Sequence, residues 1–212
     1  MNSTSTKDKV IEASITLFNT KGFDGTSIRD IASKAGVNIA NVSYYFKNKQ
    51  GLLEYLLSSY MDQYIQVIEQ VMKKAASQNA RESLFHLVQA IISFQSENKH
   101  VTRFVFREMT LDNVLTREVM TTYLAKEKYY IKHLLETGIR NKEFRKVSIA
   151  STITQLKGML VMPFIQPQYL TEVLHVIPYE DYFYKQYVTE LQKWIDTTIC
   201  IDYTPSLKAA LL

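Results

Sequence analysis

One glycine between two short apolar-periodic runs constrains this chain more than any other feature. In residues 26–49, TSIRDIASKAGVNIANVSYYFKNK, Ile28, Ile31, Ala32 and Ala35 fall on one helical face. Thr26 and Ser27 precede them as hydroxyls able to cap a helix, and Asp30 follows Ser27 at capping-box spacing. Gly36 is the residue best able to take φ > 0 at a helix end, and Val37 re-enters the core behind it. Asn38 can cap a second run through Ile39, Ala40, Asn41, Val42, Ser43, Tyr44 and Tyr45. Two short helices about a tight glycine turn make a helix-turn-helix unit, whose second helix lies in the DNA major groove. Polar and aromatic side chains crowd that second helix, with Lys47 and Lys49 beside it, so the stretch reads as a DNA-binding element.

Charge distribution agrees. Residues 1–50 hold seven Lys/Arg and four Asp/Glu, while the remaining 162 hold eighteen and seventeen. The basic surplus therefore sits mainly where phosphates would be met.

The rest of the chain is helical in pattern. Ser5 or Thr6 can cap a first helix whose inner stripe is Val10, Ile11, Ala13, Ser14, Leu17 and Phe18, ended at Lys21-Gly22-Phe23. A long helix is predicted from about 50 to 76, broken at 77–81 and followed by helices at 82–96, 101–110 and 113–140. Another is predicted over 148–165, stopped near Pro163, and a last over 179–201. No strand-like alternation and no fixed-period repeat occurs, so the fold class is all-α. A three-helix head, residues 1–49, carries a helical body, residues 50–212.

Other classes find little support. Nucleotide-binding glycine loops, H-E-x-x-H and C-x-x-C are all absent, and His86, His100, His133 and His175 lack metal-ligand or triad spacing. The reading is of a chain with no enzymatic role, cofactor or metal. With one cysteine, Cys200, and no apolar run of membrane length, the expected setting is cytoplasmic and nucleoid-associated.

The stretches Thr26-Ser27-Ile28-Arg29-Asp30-Ile31-Ala32, Ala35-Gly36-Val37 and Tyr44-Tyr45-Phe46-Lys47, with Lys49 and Leu52-Leu53, resemble the TetR family of bacterial regulators. Such families usually carry tyrosine where Ser43 stands and a small residue or glycine at Ala40. The resemblance implies a TetR-like fold whose head binds double-stranded DNA and whose body forms a homodimer that reads a palindromic site. Asn41, Tyr44 and Tyr45 are expected at bases or adjoining backbone, with Ile39 and Ala40 against thymine methyls or sugars. Thr26, Lys47 and Lys49 are expected on phosphates, with Ser27, Asn38 and Ser43 in the same interface.

For the body, the apolar helices near the C-terminus read either as core or as a patch for a second copy. The TetR resemblance implies the second, through Leu156, Met159, Leu160, Tyr187, Leu191, Trp194 and Ile195. Met159, Met162, Phe164, Tyr129, Tyr130, Phe85 and Phe94 are candidates to line a pocket for a small apolar effector, although such residues more often serve packing. Segments 102–130, 155–174 and 179–187 resemble the RefZ group of TetR-type proteins from spore-forming Bacillus relatives. That group binds DNA near the chromosome origin and restrains the division protein FtsZ. The resemblance implies FtsZ as a partner, with Arg103, Arg107 and Arg117 as its docking residues. Regulation of division during sporulation and release from an operator by a small ligand are the two outputs expected.

Overall fold

Ser5 starts the first helix, its hydroxyl accepting the Asp8 amide at 3.1 Å. The structure, a computed structural model, describes residues 5–75, 79–111, 113–178 and 180–201. In order the helices are α1 (Thr6–Lys21), α2 (Ile28–Ala35), α3 (Ile39–Phe46), α4 (Lys49–Ala75), α5 (Ala80–Glu97), α6 (Lys99–Thr110), α7 (Val114–Arg140), α8 (Ile149–Ile165) and α9 (Asp181–Trp194). Single π-helical turns occupy Tyr169–Val173 and Ile195–Ile199. The only extended pairing among the described residues is an isolated antiparallel bridge between Phe144 and Cys200. The fold is all-α, as the helical period predicts.

Two compact units form: Met1–Tyr64 with Glu97–Leu124, and Ile65–Ser96 with Ala125–Leu212. This differs from the expected division at residue 49, and packing gives the reason. Helices α2 and α3 have eight residues each and bury two apiece, Ile31 and Ala32, then Val42 and Phe46. So small a head cannot close its own core. Leu52, Leu53, Leu56 and Leu57 of α4 are buried with it, and Phe104 of α6 stacks on Phe18 of α1 at 5.2 Å between ring centroids. Asn19 donates to the His100 carbonyl at 2.8 Å, fastening α1 to the start of α6.

The second unit contains buried charges held in pairs. Glu127 receives Lys157 Nζ at 2.8 and 2.9 Å, and Asp196 takes Arg81 through Nε and Nη2 at 2.6 and 2.9 Å. Deleting one member of such a pair strands the other in a low dielectric. The Glu143 carboxylate accepts the Ala80 amide at 2.7 Å and so caps α5. Burial pushes the Cys200 thiol up to about 11, which makes it an unreactive core group.

The helix predicted over 148–165 forms as α8, Ile149–Ile165, but Pro163 lies inside it and does not stop it. A proline at this position leaves the carbonyl four residues earlier, on Met159, without its helical donor. The Tyr187 hydroxyl donates to that carbonyl at 2.6 Å and replaces the missing bond. The last helix is also shorter than expected, because α9 gives way to the π-helical turn at Ile195. Its predicted start at Tyr179, and the predicted break at Ser77, lie outside the described residues.

Candidate DNA-binding interface

The helix-turn-helix forms as its local chemistry dictates. Ser27 accepts the Asp30 amide at 3.1 Å while Asp30 accepts the Ser27 amide at 2.9 Å, a reciprocal capping box that opens α2. The Ser27 hydroxyl bond, followed by the Ser27 amide, holds the Asp30 carboxyl below its ordinary value. Gly36 takes φ 64°, and the Val37 amide reaches back to Ala32 at 3.0 Å to close α2. Asn38 Oδ1 then accepts the Ala40 amide at 2.9 Å and opens α3.

Helix α3 presents almost everything it has to solvent. Val42 and Phe46 are its buried residues; Ile39, Ala40, Asn41, Ser43, Tyr44 and Tyr45 are exposed. Tyr44 is 82% exposed, and its ring meets Tyr45 edge-on at 5.1 Å. Exposed aromatic and aliphatic side chains cost free energy in water, so their presence on one short helix marks a contact surface. Lys47 ends α3 in the left-handed region at φ 63° and is exposed, as are Ser27 and Asn38.

Two expected phosphate contacts are corrected. Thr26 is 1% exposed, and its hydroxyl donates to the Gly22 carbonyl at 2.8 Å, so it braces the turn between α1 and α2. Lys49 Nζ donates to the Phe23 carbonyl at 2.9 Å and sits 4.3 Å above the Phe23 ring. Thr26 is thus held inside the head, and Lys49 is half-buried with its ammonium on Phe23. The sequence reading missed Arg29 and Lys34, exposed cations of α2 whose one visible signal is their place on its polar positions.

Other expected sites fare unevenly. Leu156, Leu160, Leu191 and Ile195 are buried in the protomer's own core, at most 3% exposed, and so are not surface contacts for a second copy. Tyr187 is half-buried on Met159, where burial pushes its phenol up to about 12, while Met159 and Trp194 keep part of their surface. Arg107 donates to the carbonyls of Asn19 at 3.2 Å and Phe18 at 3.5 Å, satisfying the C-terminus of α1 in place of an outside partner. Arg103 is half-buried and Arg117 exposed. Of the expected effector lining, Phe94 and Phe164 are core residues and Tyr129 is 64% exposed. Among the described residues no group of three or more His, Cys, Asp or Glu could hold a metal, and no helix is long and apolar enough to cross a membrane.

The sequence model of "Bacterial regulatory proteins, tetR family" matches residues 10–56, which span α1 to the start of α4. The chain is 47% identical over 191 residues to the "Probable HTH-type transcriptional regulator YttP" of Bacillus subtilis, covering 90% of this chain and 92% of that protein. It is 30% identical over 99 residues to the Staphylococcus aureus biofilm operon icaADBC negative transcriptional regulator IcaR, covering 47% of this chain and 52% of that one. Among solved structures, the ketosteroid transcriptional regulator KstR2 of Mycobacterium tuberculosis superposes with a TM-score of 0.76 at 15% identity, over 95% of this chain and 97% of that one. FadR of Bacillus subtilis in complex with stearoyl-CoA superposes with a TM-score of 0.64 at 18% identity, over 87% and 96%.

Proposed function

The chain belongs to the tetR family of bacterial regulatory proteins, and from that premise we propose that it reads a palindromic DNA site as a homodimer through α3. It is a TetR-type transcriptional regulator. The observation that carries the DNA assignment is the solvent-facing set Asn41, Ser43, Tyr44 and Tyr45 on a helix opened by the Asn38 cap. One eight-residue helix buries little surface, and two of them one DNA turn apart add their contacts. Ser27, Lys47 and the cations Arg29 and Lys34 supply the backbone contacts that set the register. Met159 and Trp194, with their partial exposure, are what remains of the expected α8–α9 surface for a second copy.

The output is control of cell division during sporulation, by contact with FtsZ from DNA sites near the chromosome origin. Its support is the likeness of segments 102–130, 155–174 and 179–187 to the RefZ group. Arg117, which is exposed, and Arg103, which is half-buried, are the docking groups. A second reading, release from an operator by a small apolar effector, draws on the FadR neighbour's complex with stearoyl-CoA. The exposure of Tyr129 and the core positions of Phe94 and Phe164 weigh against the lining expected for it.

A genome-wide map of bound sites, paired with sedimentation of FtsZ polymers at increasing protein, tests the proposal. A few palindromes around the origin, and polymer loss that Arg117→Ala abolishes without changing DNA affinity, are expected. One site over its own or a neighbouring promoter, with FtsZ polymers unchanged, would favour the effector reading instead.

A further inference from the structure

The first compact unit contains a cavity of about 740 Å³ that the DNA-reading surface does not use. It is walled by the turn between α1 and α2, the start of α4, the end of α6 and the start of α7. Phe23, Leu53, Leu111, Val114 and Leu115 give it an apolar lining. Its volume is that of a site for a small organic molecule.

The charged groups on its wall decide what it would hold. Lys21 pairs with Asp30 at 3.7 Å, and the Arg107 guanidinium donates to the Phe18 and Asn19 carbonyls. Both cations therefore have partners already. Asp24 is exposed. Glu108 is different. It is 2% exposed and lines the cavity, yet no hydrogen bond or ion pair among the described residues holds its carboxyl. Burial raises its pKa; the Arg107 charge opposes that shift in smaller measure and the Asp24 charge adds to it. A buried acid without a donor is costly, and the cost is relieved by whatever brings it a charged N–H.

We propose that this cavity binds a small amphiphilic organic ammonium ion, its nitrogen on the Glu108 carboxylate and its apolar body against Phe23, Leu53 and Val114. Neutral ligands leave Glu108 unsatisfied, and anions are repelled by it and by Asp24. Because the occupant touches both the α1–α2 turn and the α6–α7 connection, it braces the first against the second and so alters DNA affinity. That last effect rests on the DNA-reading proposal above; the binding itself does not.

The test is calorimetric titration of the full chain, without DNA, using tryptamine as the ammonium probe and indole-3-propionate as an anion of similar shape. Tryptamine is expected to saturate one site per chain while indole-3-propionate gives no binding heat at the same concentrations. Glu108→Gln is expected to lower tryptamine affinity about tenfold or more, as loss of a charge-assisted bond requires. Val114→Trp changes an exposed wall residue, retains Glu108, and is expected to weaken tryptamine by filling the apolar side. Absence of saturable tryptamine binding by the wild type at millimolar concentration overturns the proposal. So does wild-type affinity in either folded variant, and Val114→Trp decides alone if Glu108→Gln does not fold. Since no DNA is present, a negative result leaves the DNA-reading assignment standing.

Discussion

Helix α3 keeps most of its surface outside the protein, whereas α9 places its apolar stripe within. Both are amphipathic and rich in aromatic residues, with Tyr44, Tyr45 and Phe46 on one and Tyr182, Phe183, Tyr184 and Tyr187 on the other. In α3 two side chains anchor the helix and the exposed set includes Ile39, Tyr44 and Tyr45. In α9, Val188 and Leu191 are buried, and the following π-helical turn buries Ile195, Asp196 and Ile199. A short helix that ends against a tight turn has few positions to bury, so its remaining residues are left for a partner. A longer helix in a multi-helix body first satisfies its own chain, and only what is left over can meet a second copy.

The sharpest way to break this contrast is Leu191→Glu. A carboxylate forced into a site 3% exposed should cost about 3–5 kcal/mol of stability, read as a lower urea midpoint for the full chain. A monomeric variant with wild-type stability would return Leu191 to a subunit interface. The opposite pattern is expected on α3. Asn41→Ala should leave the urea midpoint unchanged and cost about 1–3 kcal/mol of affinity for the preferred duplex, measured by fluorescence anisotropy. Equal losses on preferred and random duplexes would sink the base-reading role of Asn41.

The smallest effect concerns the cap that starts α2. Ser27→Ala removes the hydroxyl that accepts the Asp30 amide and should cost about 1 kcal/mol in the same urea assay. It also removes the main cause of the lowered Asp30 pKa. A carboxyl depressed in the folded state contributes stability above its unfolded value, and that contribution is lost as pH falls through the folded one. The difference between wild type and Ser27→Ala should therefore narrow below the ordinary aspartate value of 3.8. A gap that stays constant from pH 6 down to about 3 would remove Asp30 from the cap.

Much of the head was legible because its determinants are local. The capping box spans four residues, the Gly36 turn a few more, and the Asn38 cap reaches two residues ahead. The identities of α1 to α9 followed from the apolar period for the same reason. The candidate interface was only partly legible. Lys47 and Lys49 look alike in sequence, but Phe23, 26 residues before Lys49, takes that ammonium and leaves Lys47 outside. Thr26 beside Ser27 suffered the same ambiguity: both are hydroxyls at a helix start, and Gly22 holds one of them in the turn.

By itself the sequence determined that this chain is all-helical, begins with a helix-turn-helix and ends its helices where glycine and capping residues permit. Those outcomes depend on φ/ψ preferences and on bonds between near neighbours. Tertiary structure alone decided which cations remain in water, which leucines become core, and that α8 runs through Pro163 because Tyr187 supplies a bond from 28 residues away. It also placed Glu108 against the α1–α2 turn with no donor. Periodicity tells which face of a helix is buried; only the folded chain shows what buries it.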